Sequence, residues 1–287
     1  MKPLKSLWRR TPFGGPPKPS VHVIELTGVI GAVGAGRNGL TLARLEKTIS
    51  SAFQSDDVSA IALAINSPGG SPVQSRLIFR KIRRLAEEKN KPVLVFIEDV
   101  GASGGYILSL AGDEIYADKS SIVGSIGVIS TGFGFQETIA RYGIERRVYT
   151  AGKSKSQLDP FKASNPEDVS KLQAILNDLH EQFIELVSDR RGTKIGSNNH
   201  DVLFNGDVWT GPQAHELGLI DGIAQLGDFL VARYGKDVKI KRFSPGGGSL
   251  LKRLTSKYVA QDTGPGRDFE ALLDGAEARA VWARFGL

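Results

Sequence analysis

A serine sits among glycines at Gly101-Ala102-Ser103-Gly104-Gly105, between the apolar run PVLVFIE and a segment able to form a helix. At a helix start a serine is either a cap or a nucleophile. As a nucleophile it needs a base to take its proton. A second glycine turn, Ser67-Pro68-Gly69-Gly70, follows the preceding apolar run VSAIALAIN. Gly69 can present a free N–H there, because glycine permits the backbone angles needed and leaves no side chain in the way. The amide of Ser103 or Gly104 offers a second donor at the helix start, where the dipole favours negative charge. Two such donors are what acyl transfer requires of an oxyanion hole.

The base is the open question. The four histidines, His22, His180, His200 and His215, lie in the first strand, the long helix, a loop and a helix start. Each is an ordinary surface or packed histidine by its context. The pattern G-x-S-x-G fits a nucleophile elbow, but an α/β-hydrolase would also carry an HGGG-type loop, which is missing. The GDSGG of trypsin-like proteases is similar, yet the α/β pattern here contradicts their all-β fold. Lysine serves as a base when burial disfavours its ammonium form. The stretch TAGKSKSQLDPFK supplies Lys153, Lys155 and Lys162.

These residues need elements to position them. VHVIEL (21–26) alternates and reads as a strand. LARLEKTISSAF reads as a helix, and VSAIALAIN and PVLVFIE as buried strands. The stretch from Val73 carries an apolar helical stripe under a basic outer face. EIYAD, SIGVIST (125–131) and ERRVYTA (145–151) read as further short strands. Residues 166–191 form a long amphipathic helix, with Asn165 as N-cap and Pro166 at its first position. Alternating strands and helices imply an α/β fold with a mostly parallel sheet and covering helices. In such sheets ligands sit beyond the carboxyl ends of strands. SPGG and GASGG end successive strands, so they converge at one end.

The chain has 287 residues, 40% hydrophobic and 24% charged, ordinary values for a globular protein. Its zero cysteines exclude disulfides, a thiolate nucleophile and cysteine-based metal sites. No metal or cofactor is expected. The net charge of +6 carries no interleaved aromatics, so nucleic acid is not an expected partner. No apolar run is long enough to span a bilayer, and the start has no apolar h-region. The expectation is a cytoplasmic protein, or one peripheral at an inner membrane. Residues 1–20 read as a flexible basic arm, 21–243 as the catalytic domain, and 244–287 as a tail suited to oligomer or membrane contact.

Together, INSPGGSP, GASGGYILSLAGDEIYADKSSIVGSIGVI, YTAGKSKSQ and NGDVWTGPQAHELGLIDGI resemble the signal peptide peptidase A (protease IV) family of Ser–Lys peptidases. The resemblance spans about 21–230. It implies a ClpP/crotonase-like fold, with Ser103 as nucleophile, Lys155 as base and Ser125 orienting the lysine. It assigns the oxyanion hole to Gly69 and Gly104. ClpP itself shares SPGG but uses a Ser-His-Asp triad, and no histidine lies between Ser103 and His180. A peptide substrate would add as a strand beside Gly70 and the Ile126, Gly127 and Val128 segment. The resemblance further implies hydrolysis of signal-peptide remnants or other membrane-associated or unfolded peptides. It also implies rings of subunits, in which a neighbour's residues complete each site. Lys153 is the fallback base. Two other functions fit less of the sequence: a catalytically silent peptide-binding scaffold, and an esterase using a downstream histidine.

Overall fold

The computed structural model describes residues 18–31, 39–152, 154–196 and 200–245, with Trp282, Ala283 and Phe285. The expected N-terminal arm up to residue 17, most of the expected tail and Lys153 lie outside the described residues.

The sheet is organised by residue size on its two faces. Strand β2 (Ala60–Ser67) directs Ile61, Leu63 and Ile65 to one side and Ala60, Ala62 and Ala64 to the other. This is the two-residue period of a strand buried on both faces. The bulky face meets helices α1 (Leu42–Phe53) and α2 (Pro72–Lys89), whose Leu45, Ile49, Ile78 and Ile82 complete one core. The alanine face, with Val21, Val23, Leu94 and Phe96, packs Leu230 and Phe229 of the helix Leu226–Tyr234. Burial of each large aliphatic side chain contributes about 1.5–3 kcal/mol.

β2 pairs in parallel with β1 (Ser20–Thr27) and β3 (Val93–Ala102). β8 (Lys239–Phe243) extends the sheet beside β1. The first half of β3 pairs with β4 (Glu114–Ala117) and its last residues with β5 (Ile122–Gly124). β7 (Gly222–Ile223) joins β4, and β6 (Val208–Thr210) runs antiparallel to β5. The remaining helices are α3 (Gly104–Ser109), α4 (Gln136–Arg141), α5 (Pro166–Arg191), α6 (His200–Leu203), α7 (Gly211–Glu216) and α8 (Leu226–Tyr234). The mostly parallel α/β architecture is the expected one.

Helix ends follow local chemistry. Ser71 caps α2 by accepting from the Gln74 N–H (3.4 Å), with Pro72 at the first position. Asn165 caps α5 by accepting from the Glu167 N–H (3.0 Å), ahead of Pro166. At the far end of α5, the buried Arg191 forks onto Asp221 at 3.0 and 3.1 Å and donates to Gly218 O at 2.8 Å. Asp221 also accepts from Lys194 and from the Ile115 N–H, so α5 is fastened to β4.

Two expected strands differ. Residues 125–131 form no strand: β5 lies just before them, and Ser125 takes a φ of 52° that turns the chain out of the sheet. Residues 145–151 form no strand: they lie exposed and pair with no strand of the sheet.

Candidate active site

β2 and β3 pair in one register from Ile61 and Val93 to Ile65 and Ile97, and after a bulge Ser67 pairs with Gly101. That pairing brings the SPGG turn beside GASGG at the carboxyl end of the sheet. A Cβ placed on Gly69 would lie 2.8 Å from both Ser103 Cβ and Gly104 N. One placed on Gly104 would lie 2.4 Å from Ser75 Oγ and 3.3 Å from Gly70 N. Only glycine fits between these two turns at such distances.

Ser103 joins β3 to α3 with φ 52° and ψ −121°. A non-glycine residue in that region costs on the order of 1–3 kcal/mol and persists only where its surroundings fix it. Here the Ser103 N–H donates to Gly124 O at 2.8 Å, and the Ser103 O accepts from the Tyr106 and Ile107 amides. Tyr106, fully buried, anchors α3 by donating its hydroxyl to Leu219 O at 2.8 Å. The sharp strand-to-helix turn presents the Ser103 hydroxyl at the top of the sheet, the geometry of a nucleophile elbow.

The amides around Ser103 differ in availability. The Ser103 N–H is engaged with Gly124, and the Gly69 N–H donates to Ser67 Oγ at 3.2 Å. Gly104 is the first residue of α3, so its N–H has no partner within the helix. The Gly70 N–H has no hydrogen-bond partner among the described residues. Of the expected pair, Gly104 thus has a free N–H and Gly69 an engaged one, and the neighbouring Gly70 N–H is free among the described residues.

Ser103, Gly104, Gly70 and Ser125 line one cleft of about 550 Å³. Ser125 follows β5, its N–H donating to Asp207 O at 2.6 Å. Gly127 and Val128 also line the cleft, whereas the Ile126 side chain is wholly buried. The Ile126 O accepts from His180 Nε2 at 3.1 Å, which ties α5 to the residue after Ser125. Of the two contexts open to it, surface or packed, His180 takes the second in part: it is half-buried against this segment. The α5 face Leu179, Phe183 and Leu186 forms an apolar wall. Its spacing is visible in the sequence as a helical stripe, although nothing there marks it as cleft rather than core.

Lys155 is not among the residues lining this cleft. It lies exposed, its N–H donating to Gly152 O at 3.3 Å, in a segment from residue 129 onward that is mostly exposed. That segment carries the exposed Ile129, Phe133, Phe135, Tyr142 and Ile144. Phe135 stacks on Phe161 at 5.5 Å, and Arg146 lies over the same ring at 4.8 Å. Among the described residues no group of three or more metal-ligating side chains occurs. Among them, too, no helix is long and apolar enough to cross a membrane.

Known proteins share this fold. A mutant of 1510-N, a membrane-bound stomatin-specific protease, solved in complex with a substrate peptide, superposes with a TM-score of 0.52. It shares 17% identity, covering 84% of this chain and 97% of that one. Protease 4 of Haemophilus influenzae is 32% identical over 195 residues, 66% of this chain and 30% of that protein. A Brucella abortus protein named Na(+)/H(+) antiporter NhaA is 48% identical over 275 residues, 93% of this chain and 37% of that protein. The chain thus spans about 30–37% of the length of these two relatives. The sequence profile of peptidase family S49 matches residues 86–241, a stretch that holds Ser103, Ser125 and Lys155. That match takes in more than half of the chain, and with it the fold resolves into an assignment: this chain belongs to peptidase family S49.

Proposed function

We propose that this chain is an endopeptidase that attacks peptide carbonyls with Ser103 and uses Lys155 as its base. The observation that supports it best is the strained Ser103 at the floor of a cleft, beside the unpaired Gly70 and Gly104 amides. The Lys155 amine takes the Ser103 proton, with Ser125 orienting the amine. The serine oxygen adds to the carbonyl carbon, and Gly70 and Gly104 donate to the oxygen that becomes negative. The tetrahedral intermediate collapses, the amine product leaves with a proton from Lys155, and water hydrolyses the acyl-enzyme by the same route. An extended peptide lies along Gly70 and the Gly127–Val128 segment. The substrate peptide held by the 1510-N mutant supports peptides as the substrate class. The substrates expected are signal-peptide remnants and other membrane-associated or unfolded peptides.

Lys155 must reach a Ser103, and its exposed position favours the Ser103 of a neighbouring subunit. The uncovered aromatic side chains of the same segment are suited to a contact within a ring of subunits. The antiporter name belongs to the longer Brucella protein, and the stretch it shares with this chain includes the family match.

The test is cleavage of fluorogenic peptides by wild type, Ser103→Ala, Lys155→Ala and single His→Ala variants. Loss in the first two variants with retention in every histidine variant supports the dyad. Unchanged cleavage in Ser103→Ala removes the proposal. Mixing Ser103→Ala with Lys155→Ala protein recovers activity if the dyad forms between subunits, and recovers none if it forms within one chain.

A further inference from the structure

The cleft around Ser103 carries a single charged side chain among its described lining residues, Arg76 of α2. Its surroundings are otherwise small, apolar or neutral, including Ile107, Val128, Leu179 and Phe183. Arg76 is half-buried, and its Nη1 donates to Gln182 Oε1 (3.2 Å) and Gln182 O (3.5 Å). The Gln182 amide is in turn oriented by Asp178, whose carboxylate accepts from Gln182 Nε2 at 3.0 Å. Asp178 thus holds the glutamine oxygen toward the guanidinium without touching it. Among the described residues no carboxylate pairs with Arg76, and its Nε and Nη2 groups donate to nothing.

This is an unusual setting for arginine. The guanidinium stays charged at any accessible pH and presents planar, paired donors that match a carboxylate. A protein gains little by aiming an unpaired cation into an apolar cleft, because partial burial weakens its hydration. A carboxylate arriving with the substrate restores the missing partner, and the apolar walls strengthen that attraction. The Asp178–Gln182–Arg76 chain fixes one edge of the guanidinium and leaves the other edge for the ligand.

We infer that Arg76 is a specificity-determining residue that selects peptides bearing a carboxylate near the scissile bond, supplied by an acidic side chain or by a free C-terminus. The inference rests on the peptidase reading above for the identity of the ligand as a peptide. It also accounts for part of the basic face of α2, which the Ser–Lys chemistry leaves unused.

The experiment uses paired fluorogenic peptides that differ only by Glu or Gln, with the pair moved through the four positions on either side of the cleaved bond. A further pair ends in a free carboxylate or a carboxamide close to that bond. The two sources of the carboxylate are thereby separated. At one position the acidic member is expected to show about tenfold higher kcat/KM, the worth of a charge-assisted hydrogen bond. The ratio falls to about one in Arg76→Gln, takes an intermediate value in Arg76→Lys, and inverts in Arg76→Glu. In wild type it shrinks as ionic strength rises. Equal rates for every pair in wild type overturn the inference, as does a ratio unchanged in Arg76→Gln. Should Arg76→Gln fail to fold, Arg76→Lys and the wild-type salt dependence decide the matter. The same pairs are also measured for binding to Ser103→Ala by fluorescence anisotropy. A preference in binding without cleavage by wild type leaves the Arg76 assignment standing and removes the Ser–Lys mechanism.

Discussion

Replacing Gly104 by alanine tests the proposed oxyanion site with one methyl group. The added Cβ would lie 2.4 Å from Ser75 Oγ, 3.2 Å from Ile30 Cδ1 and 3.3 Å from Gly70 N. The first contact is impossible without movement, and Ser75 is held in place by donating to Ser71 O at 2.9 Å. The relief available is for α3 to shift away from the SPGG turn, which separates the Gly70 and Gly104 amides. Overpacking of this kind costs about 1–3 kcal/mol. In a domain of this size that lowers the melting temperature by roughly 2–12 °C. Misplacing one oxyanion donor costs about 10²–10³ in kcat. Thermal melting and peptide turnover should therefore fall together in Gly104→Ala. Adding Ser75→Ala removes the severe contact and should restore most of the melting temperature. Turnover should stay at least about tenfold low, because the methyl still crowds Gly70 N. Gly104→Ala within threefold of wild-type turnover would refute the assignment of Gly70 and Gly104 as the donors.

Other outcomes follow from buried charge. Asp221→Asn leaves Arg191 buried without a full countercharge, and urea denaturation should report a loss of about 3 kcal/mol. An intact midpoint in that variant would show that the fork adds nothing to stability. In the wild type, burial opposes ionisation of Asp221, yet donation from Arg191, Lys194 and the Ile115 N–H holds its carboxyl below the ordinary range. The stability this contributes is present above the unfolded carboxylate value and drains away as pH falls through the lower folded value. His22 behaves in the same sense for a different reason. Burial lowers its pKa, while its Nδ1 bond to Ala52 O opposes that shift. The fold therefore favours the neutral ring. Stability from this site is complete above the unfolded value of about 6.5 and declines as pH drops below it. His22→Gln should flatten the dependence of the denaturation midpoint on pH between about 7 and 5.

Much of this architecture is legible in the residues. The continuous apolar runs around Ala62 and Val95 can only be strands covered on both faces. Asn165 and Pro166 mark the start of α5 because each satisfies a different requirement of a helix end. SPGG and GASGG are readable as a converging pair because each terminates a buried strand. Other features depend on contacts that sequence does not encode locally. β8, with its lysines and arginine, reads as a polar stretch and becomes a strand because the edge of β1 offers partners. Residues 145–151 have strand composition but pair with no strand of the sheet. The engagement of the Gly69 N–H with Ser67 Oγ depends on a turn geometry that the letters SPGG leave open. Arg76 is one basic residue among several on α2, and only the packing of α5 against α2 singles it out.

The left-handed backbone at Ser103 has a consequence for how such a protein can be improved. Ser103→Gly should relieve the strain at φ 52°, partly offset by the glycine's greater freedom in the unfolded chain. The variant without the proposed nucleophile should therefore match or exceed wild type in heat resistance. Heat resistance and turnover pull in opposite directions at this one position. A directed-evolution screen on thermal survival alone would accept chains that have lost the proposed nucleophile, so it must score cleavage in every round.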